Sequence, residues 1–183
     1  MRTSQALARG IHAATLYGLR DSGKLVVLSR GLYAIANSKR PPDMDATIVA
    51  ARAPNGAICL ISALAFHGIT TQVPAAIYFA LPRGSYYRFK IQSPPILVFR
   101  FDAKNFKAGL EVHRIGNTSV NIYNAPRTVV DCFKFRNKIG LDVALEALRL
   151  ARERKRVTNR ELLHYARLLR MERVMQPYLH ATS

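Results

Sequence analysis

Gly10, Gly23 and Gly31 do most to limit what the start of this chain can fold into. A short helix is predicted over Thr3 to Arg9, stopping at Gly10, and a second from about His12 to Ser22. Gly23-Lys24 then leads into Leu25-Val26-Val27-Leu28, a turn at Ser29-Arg30-Gly31, and Leu32-Tyr33-Ala34-Ile35. Helix, tight turn, helix and basic-tipped hairpin in that order form a winged helix-turn-helix arrangement, able to set one helix in a major groove with a loop beside it. In the second helix Leu16 and Leu19 share a side with Leu7 and Ile11 from before it, leaving His12, Thr15, Arg20 and Tyr17 to face outward. Gly18 in its middle weakens it by about 1 kcal/mol relative to Ala.

Charge sharpens this reading. The 183 residues carry 28 Lys and Arg against 11 Asp and Glu, a formal charge of +17, and almost half are apolar. Such a chain can bury a core, and it favours a polyanionic partner, because neutralised phosphates release counterions. Up to residue 40 the bases are Arg2, Arg9, Arg20, Lys24, Arg30, Lys39 and Arg40, against the single acid Asp21. In this first unit Arg9, Lys24 and Arg30 would hold phosphates or the minor groove, while His12, Thr15 and Arg20 would reach base edges or their flanks.

Asn37-Ser38-Lys39-Arg40-Pro41-Pro42 reads as a linker, so residues 1–40 form one unit and 41–183 a second, α+β domain ending in a helical bundle. Asp43 is placed to cap a helix from about Met44 to Arg52. Ala57 to Leu60 is a short buried strand, and Ser62 a cap for the brief helix that ends at His67-Gly68. Strands are expected over 76–81, 96–101, 110–114 and 120–123, rich in β-branched and aromatic residues. From Pro126 the period turns helical, with further helices over 141–153, from the capping box Thr158-Asn159-Arg160-Glu161, and to about Leu179.

Chemistry-bearing patterns are sparse. Cys59 and Cys132 lack metal or disulfide spacing and read as buried thiols of a reducing cytoplasm. Gly84-Ser85 has no following acid pair of the kind a nucleotidyltransferase needs for magnesium. Asp102 and Glu111-Val112-His113 have the outline of an acid followed by acid-x-lysine, which would make a metal-dependent nuclease the alternative function, although His113 replaces the lysine and Asp102 can instead simply cap a turn. His67 is predicted at a helix C-terminus, favoured there by the dipole. Arg127 and Asp131 stand at i, i+4, an ion pair locking a helix start. In the run Arg149 to Arg156, Arg152, Arg154, Lys155 and Arg156 read as a solvated helix end, with a second phosphate-binding strip as the alternative. A protein-binding module with solubilising charge is a third reading. No cofactor, catalytic residue or membrane segment is expected.

Several ordered segments together resemble the AbiEi family of antitoxins and transcriptional regulators of type IV toxin–antitoxin systems. They run from Gly10-Ile11-His12 to Leu32-Tyr33-Ala34-Ile35, then Ser62-Ala63-Leu64-Ala65-Phe66-His67-Gly68-Ile69 and Pro126-Arg127-Thr128-Val129-Val130-Asp131. Glu161-Leu162-Leu163-His164-Tyr165-Ala166 through Val174-Met175-Gln176-Pro177-Tyr178-Leu179 completes the set. The resemblance implies a winged-helix unit that binds inverted repeats at its own promoter, in two copies or by self-association on DNA. It also implies a C-terminal domain that counters a co-encoded nucleotidyltransferase toxin, and no enzymatic activity. It carries Leu16, Leu19, Leu25 and Tyr33 over as winged-helix core, and Arg20, Lys24 and Arg30 as DNA-facing residues. It places no toxin-contacting residue. The family's N-terminal unit opens with a further helix, which would lie upstream of Met1. The expectation is therefore a winged helix with its first helix absent, leaving Leu7, Leu16 and Leu19 exposed at ~1.5–3 kcal/mol per large side chain.

Overall fold

Local breakers set the first elements of the computed structural model, which describes residues 3–29, 31–35, 42–85, 87 and 94–181. Helix α1 (Thr3–Ala8) ends where the Gly10 N–H bonds to the Leu7 carbonyl at 3.0 Å, and helix α2 (Ala13–Asp21) follows. Gly23 adopts φ +71°, a conformation that glycine reaches without strain, and turns the chain into the antiparallel hairpin of β1 (Leu25–Ser29) and β2 (Leu32–Ile35). Register runs from Leu25 opposite Ile35 to Ser29 opposite Leu32, with an irregularity between Val27 and Ser29. Ala6, Leu16 and Tyr33 are buried here, while Leu19 and Ile11 are half-buried. The expected exposure falls on Leu7, at 50 %, and not on Leu16.

The second part is built on a mixed sheet of order β5-β4-β3-β7-β6. Its strands are β3 (Ala57–Ile58), β4 (Ile77–Pro82), β5 (Ile96–Phe101), β6 (Leu110–Ile115) and β7 (Thr118–Tyr123). β3 pairs antiparallel with β4 and parallel with β7, β5 runs parallel to β4, and β6 antiparallel to β7. The period of two along β4 is clean. Ile77, Phe79 and Leu81 share a core with Val49 and Ala50 of helix α3 (Pro42–Arg52) and with Ala53 just after it. Tyr78 and Ala80 face the larger core on the opposite side. There helices α4 (Leu60–Phe66), α5 (Ala125–Lys134) and α7 (Leu141–Glu153) supply Leu64, Val129, Phe133 and Leu148, all fully buried. The short α6 (Arg136–Ile139) joins α5 to α7, and α8 (Asn159–Leu168) and α9 (Glu172–Ala181) complete the layer through Leu162, Ala166 and Met175. The class is α+β, as expected.

Most strand and helix positions agree with the local patterns, and the starts of α3 and α4 differ for identifiable reasons. Pro42 opens α3, so Asp43 lies inside the helix and not before it; proline suits a first turn because its missing N–H would be unpaired there. Helix α4 starts two residues ahead of Ser62, with Cys59 as N-cap and Leu60 at φ +46°. Ser62 instead sits within the helix, its hydroxyl accepting the Tyr78 N–H at 3.0 Å. A short 3-10 turn, Ala103–Asn105, begins at Asp102, whose carboxylate accepts the Lys104 N–H.

Candidate nucleic-acid interface

The outward surface of α2 follows from the burial of Leu16. Its exposed middle therefore holds Ala14, Tyr17, Gly18 and Asp21, all accessible to solvent. Thr15 and Arg20 are also exposed, but they stand about 140° apart around the axis and flank that middle on opposite sides. His12 is the N-cap, exposed, with an extended backbone and no capping side-chain bond. Arg9 and Lys24, one on each side of α2 in sequence, are both exposed. Arg30 lies outside the described residues, as do Lys39, Arg40 and most of the linker.

Arg20 has local partners. Its Nε donates to Asp21 Oδ1 at 2.7 Å and its guanidinium sits 5.1 Å over the Tyr17 ring. That hydrogen bond holds the Asp21 carboxyl below its usual range. The one acid of the unit is thus occupied by its neighbour, and Tyr17 joins the candidate set as an aromatic held beside a cation. Thr3, which sequence patterns did not single out, fixes the hairpin. Its N–H and hydroxyl both donate to the Gly31 carbonyl, at 2.9 and 3.3 Å. The turn of the hairpin is therefore anchored on the start of α1.

The other sequence candidates have structural roles. Arg127, 1 % exposed, donates from Nε to Asp131 Oδ2 at 2.8 Å. From Nη1 it donates to the carbonyls of Asn105 and Ala108, and its guanidinium lies 4.8 Å over Tyr123. The ion pair reaches well beyond a helix start: it ties α5 to the chain between β5 and β6. His67 is the C-cap of α4, at the helix C-terminus where the sequence places it, and burial holds its imidazole below the usual pKa. Its Nε2–H donates to the Tyr123 carbonyl at 2.7 Å. Arg152 donates to Asn159 and to the Leu179 carbonyl, and Arg154 to the Gly68 carbonyl. Those two arginines are anchors; Lys155 and Arg156 remain exposed. Cys59 and Cys132 are buried free thiols, and burial pushes both well up.

Asp102 and Glu111 are not brought together as a metal-holding pair. Asp102 directly follows β5 and Glu111 lies in β6, and these strands are the two opposite edges of the sheet. Asp102 caps its turn, and Glu111 lies 3.1 Å from His113 Nε2. Among the described residues no group of three His, Cys, Asp or Glu is placed to hold a metal ion, and no helix is long and apolar enough to cross a membrane.

Residues 2–36 match the family model described as "Transcriptional regulator, AbiEi antitoxin". The matched stretch spans α1, α2 and the hairpin. No curated protein matches the chain. The resemblance drawn from the sequence is borne out over this segment, where the chain is similar to antitoxin-type transcriptional regulators.

Proposed function

We propose that this chain, similar over residues 2–36 to the AbiEi antitoxin regulators, is a DNA-binding autorepressor and antitoxin, and not an enzyme. The observation that carries the reading is a coincidence of boundaries. The matched residues are those that fold into two helices and a hairpin, with Arg9, Lys24 and Arg20 on their surface. On this reading the unit is a winged helix-turn-helix, with α2 in the major groove and the hairpin as its wing. Arg9, Lys24 and Arg20 neutralise phosphates, while His12, Thr15 and Tyr17 meet base edges or the thymine methyl. Arg30 at the hairpin turn would add a phosphate or minor-groove contact. Promoter inverted repeats require two copies, associated on DNA. The α+β domain of residues 42–181 then counters a co-encoded nucleotidyltransferase toxin, a role supported by the similarity of the first unit.

A gel shift against the chain's own upstream sequence tests the DNA half. Arg20→Ala with Lys24→Ala should weaken the shift. The slope of log affinity against log salt should also become shallower, by roughly 0.9 for each phosphate no longer neutralised. Affinity equal to that for random duplex would end the reading as a sequence-specific repressor. Restoration of growth when the chain is co-expressed with the adjacent toxin reading frame tests the other half.

A further inference from the structure

The solvent side of α8 carries Arg160, Leu163, His164, Arg167 and Leu168, which line a groove of about 650 Å³. Their spacing of three and four residues makes them one stripe, opposite the face that buries Leu162, Ala166 and Leu169. Leu163 and Leu168 are half-buried on the groove floor, and the three side chains beside them are basic or imidazole and exposed. Arg160 makes no ion pair among the described residues. Arg167 donates to Glu172 at 2.9 Å at one end, and Glu161 turns away to close the capping box with Thr158. No acid is among the groove's lining residues.

We infer that this groove docks an acidic amphipathic helix of a different protein, its leucine-type ridge on Leu163 and Leu168 and its carboxylates on Arg160, His164 and Arg167. From Arg160 to Leu168 the stripe spans about 12 Å, enough for two turns of such a helix lying along it. Two leucines within the stripe favour a protein over a phosphate backbone, which would leave them against charge. A second copy of this chain fits poorly. A stripe with both leucines and acids on α7, exposed Leu141, Asp142 and Leu145 with half-buried Glu146, has Glu146 bonded by Thr70 and Thr71 and runs into Arg149. The groove lies outside residues 2–36, the stretch that carries the proposed DNA contacts.

The test titrates the full chain with a synthetic helical peptide of about eighteen residues, bearing leucine at every third or fourth position and glutamate beside it. Its lysine counterpart is the control, and fluorescence anisotropy the readout. The glutamate peptide should bind and the lysine peptide should not. Arg160→Glu with His164→Glu should weaken binding about tenfold or more, whereas Lys107→Glu with Arg114→Glu, which lowers the net charge by four units against three for the α8 pair with histidine neutral, should leave it within about twofold. Arg160→Glu falls in the first turn of α8, where an acid suits the dipole, His164→Glu falls at mid-helix, and circular dichroism checks that the helix persists. Equal weakening by both pairs would reduce the effect to net charge and overturn the proposal, as would no binding. An equal drop in affinity for random duplex DNA in the α8 pair would make the stripe a phosphate strip. Concentration-dependent dimerisation abolished by the α8 pair would make the occupant a second copy.

Discussion

Arg127 shows what a single residue can carry in this fold. Its guanidinium is out of water, so the carboxylate of Asp131 and the carbonyls of Asn105 and Ala108 replace its hydration. Removing it strands Asp131, whose Oδ1 already has no partner. Arg127→Met should therefore cost about 3–5 kcal/mol of stability, read by urea denaturation, against a neutral outcome if the pair were solvated. Burial pushes the Asp131 carboxyl up to about 6, above its value in an unfolded chain. The folded state then holds this proton more tightly than the unfolded one. Its contribution is complete below the unfolded value and is lost as pH rises through about 6. Asp131→Asn should flatten the stability profile across that window; an unchanged slope would place the titration elsewhere. The i, i+4 spacing of the pair could be read in the sequence. The two carbonyl partners could not, because they come from residues 105 and 108 and meet Arg127 only in the folded chain.

At the scale of elements, caps and breakers had the most predictable effects. The Thr158–Glu161 capping box forms as its spacing requires, with Thr158 N–H donating to Glu161 at 2.8 Å. Thr158→Ala should cost about 1 kcal/mol, measurable as a lower midpoint in thermal unfolding. In α2, a Cβ added at Gly18 meets nothing within 4 Å, and the residue lies in the exposed middle of the helix. Gly18→Ala should stabilise the unit by about 0.5–1 kcal/mol. If that middle sits on DNA, the same substitution weakens the gel shift while raising stability. A rise in both would move the DNA-facing surface off this side of α2. Gly109 is the opposite case: at φ +70° its Cβ would stand 2.9 Å from the Arg127 Cβ. Gly109→Ala should destabilise by about 1–3 kcal/mol, again seen in urea. Local patterns misplaced the start of α4, because burial of Leu60 in the core holds it at a φ that its own preferences disfavour.

For the whole molecule, charge and topology act over different distances. A formal charge of +17 raises affinity for any polyanion, so binding to random duplex should fall steeply with salt whatever the operator. A gel shift that keeps its strength from low to physiological salt would contradict that. By itself the sequence determined the punctuation of the chain: the two N-terminal helices and hairpin, the strand and helix segments, the capping box and the basic first unit. These depend on interactions across three or four residues and on hydrophobic period, so they can be read one segment at a time. Only the tertiary structure decided the order β5-β4-β3-β7-β6, which puts Asp102 and Glu111 on opposite edges and removes the paired-acid reading. It also decided that Thr3 anchors the hairpin turn, that Arg152 and Arg154 are anchors, and that α8 keeps a basic, leucine-floored groove open. The physical reason is common to all of them. Each depends on which distant residues displace water from a given side chain, and that is settled by packing after the elements exist.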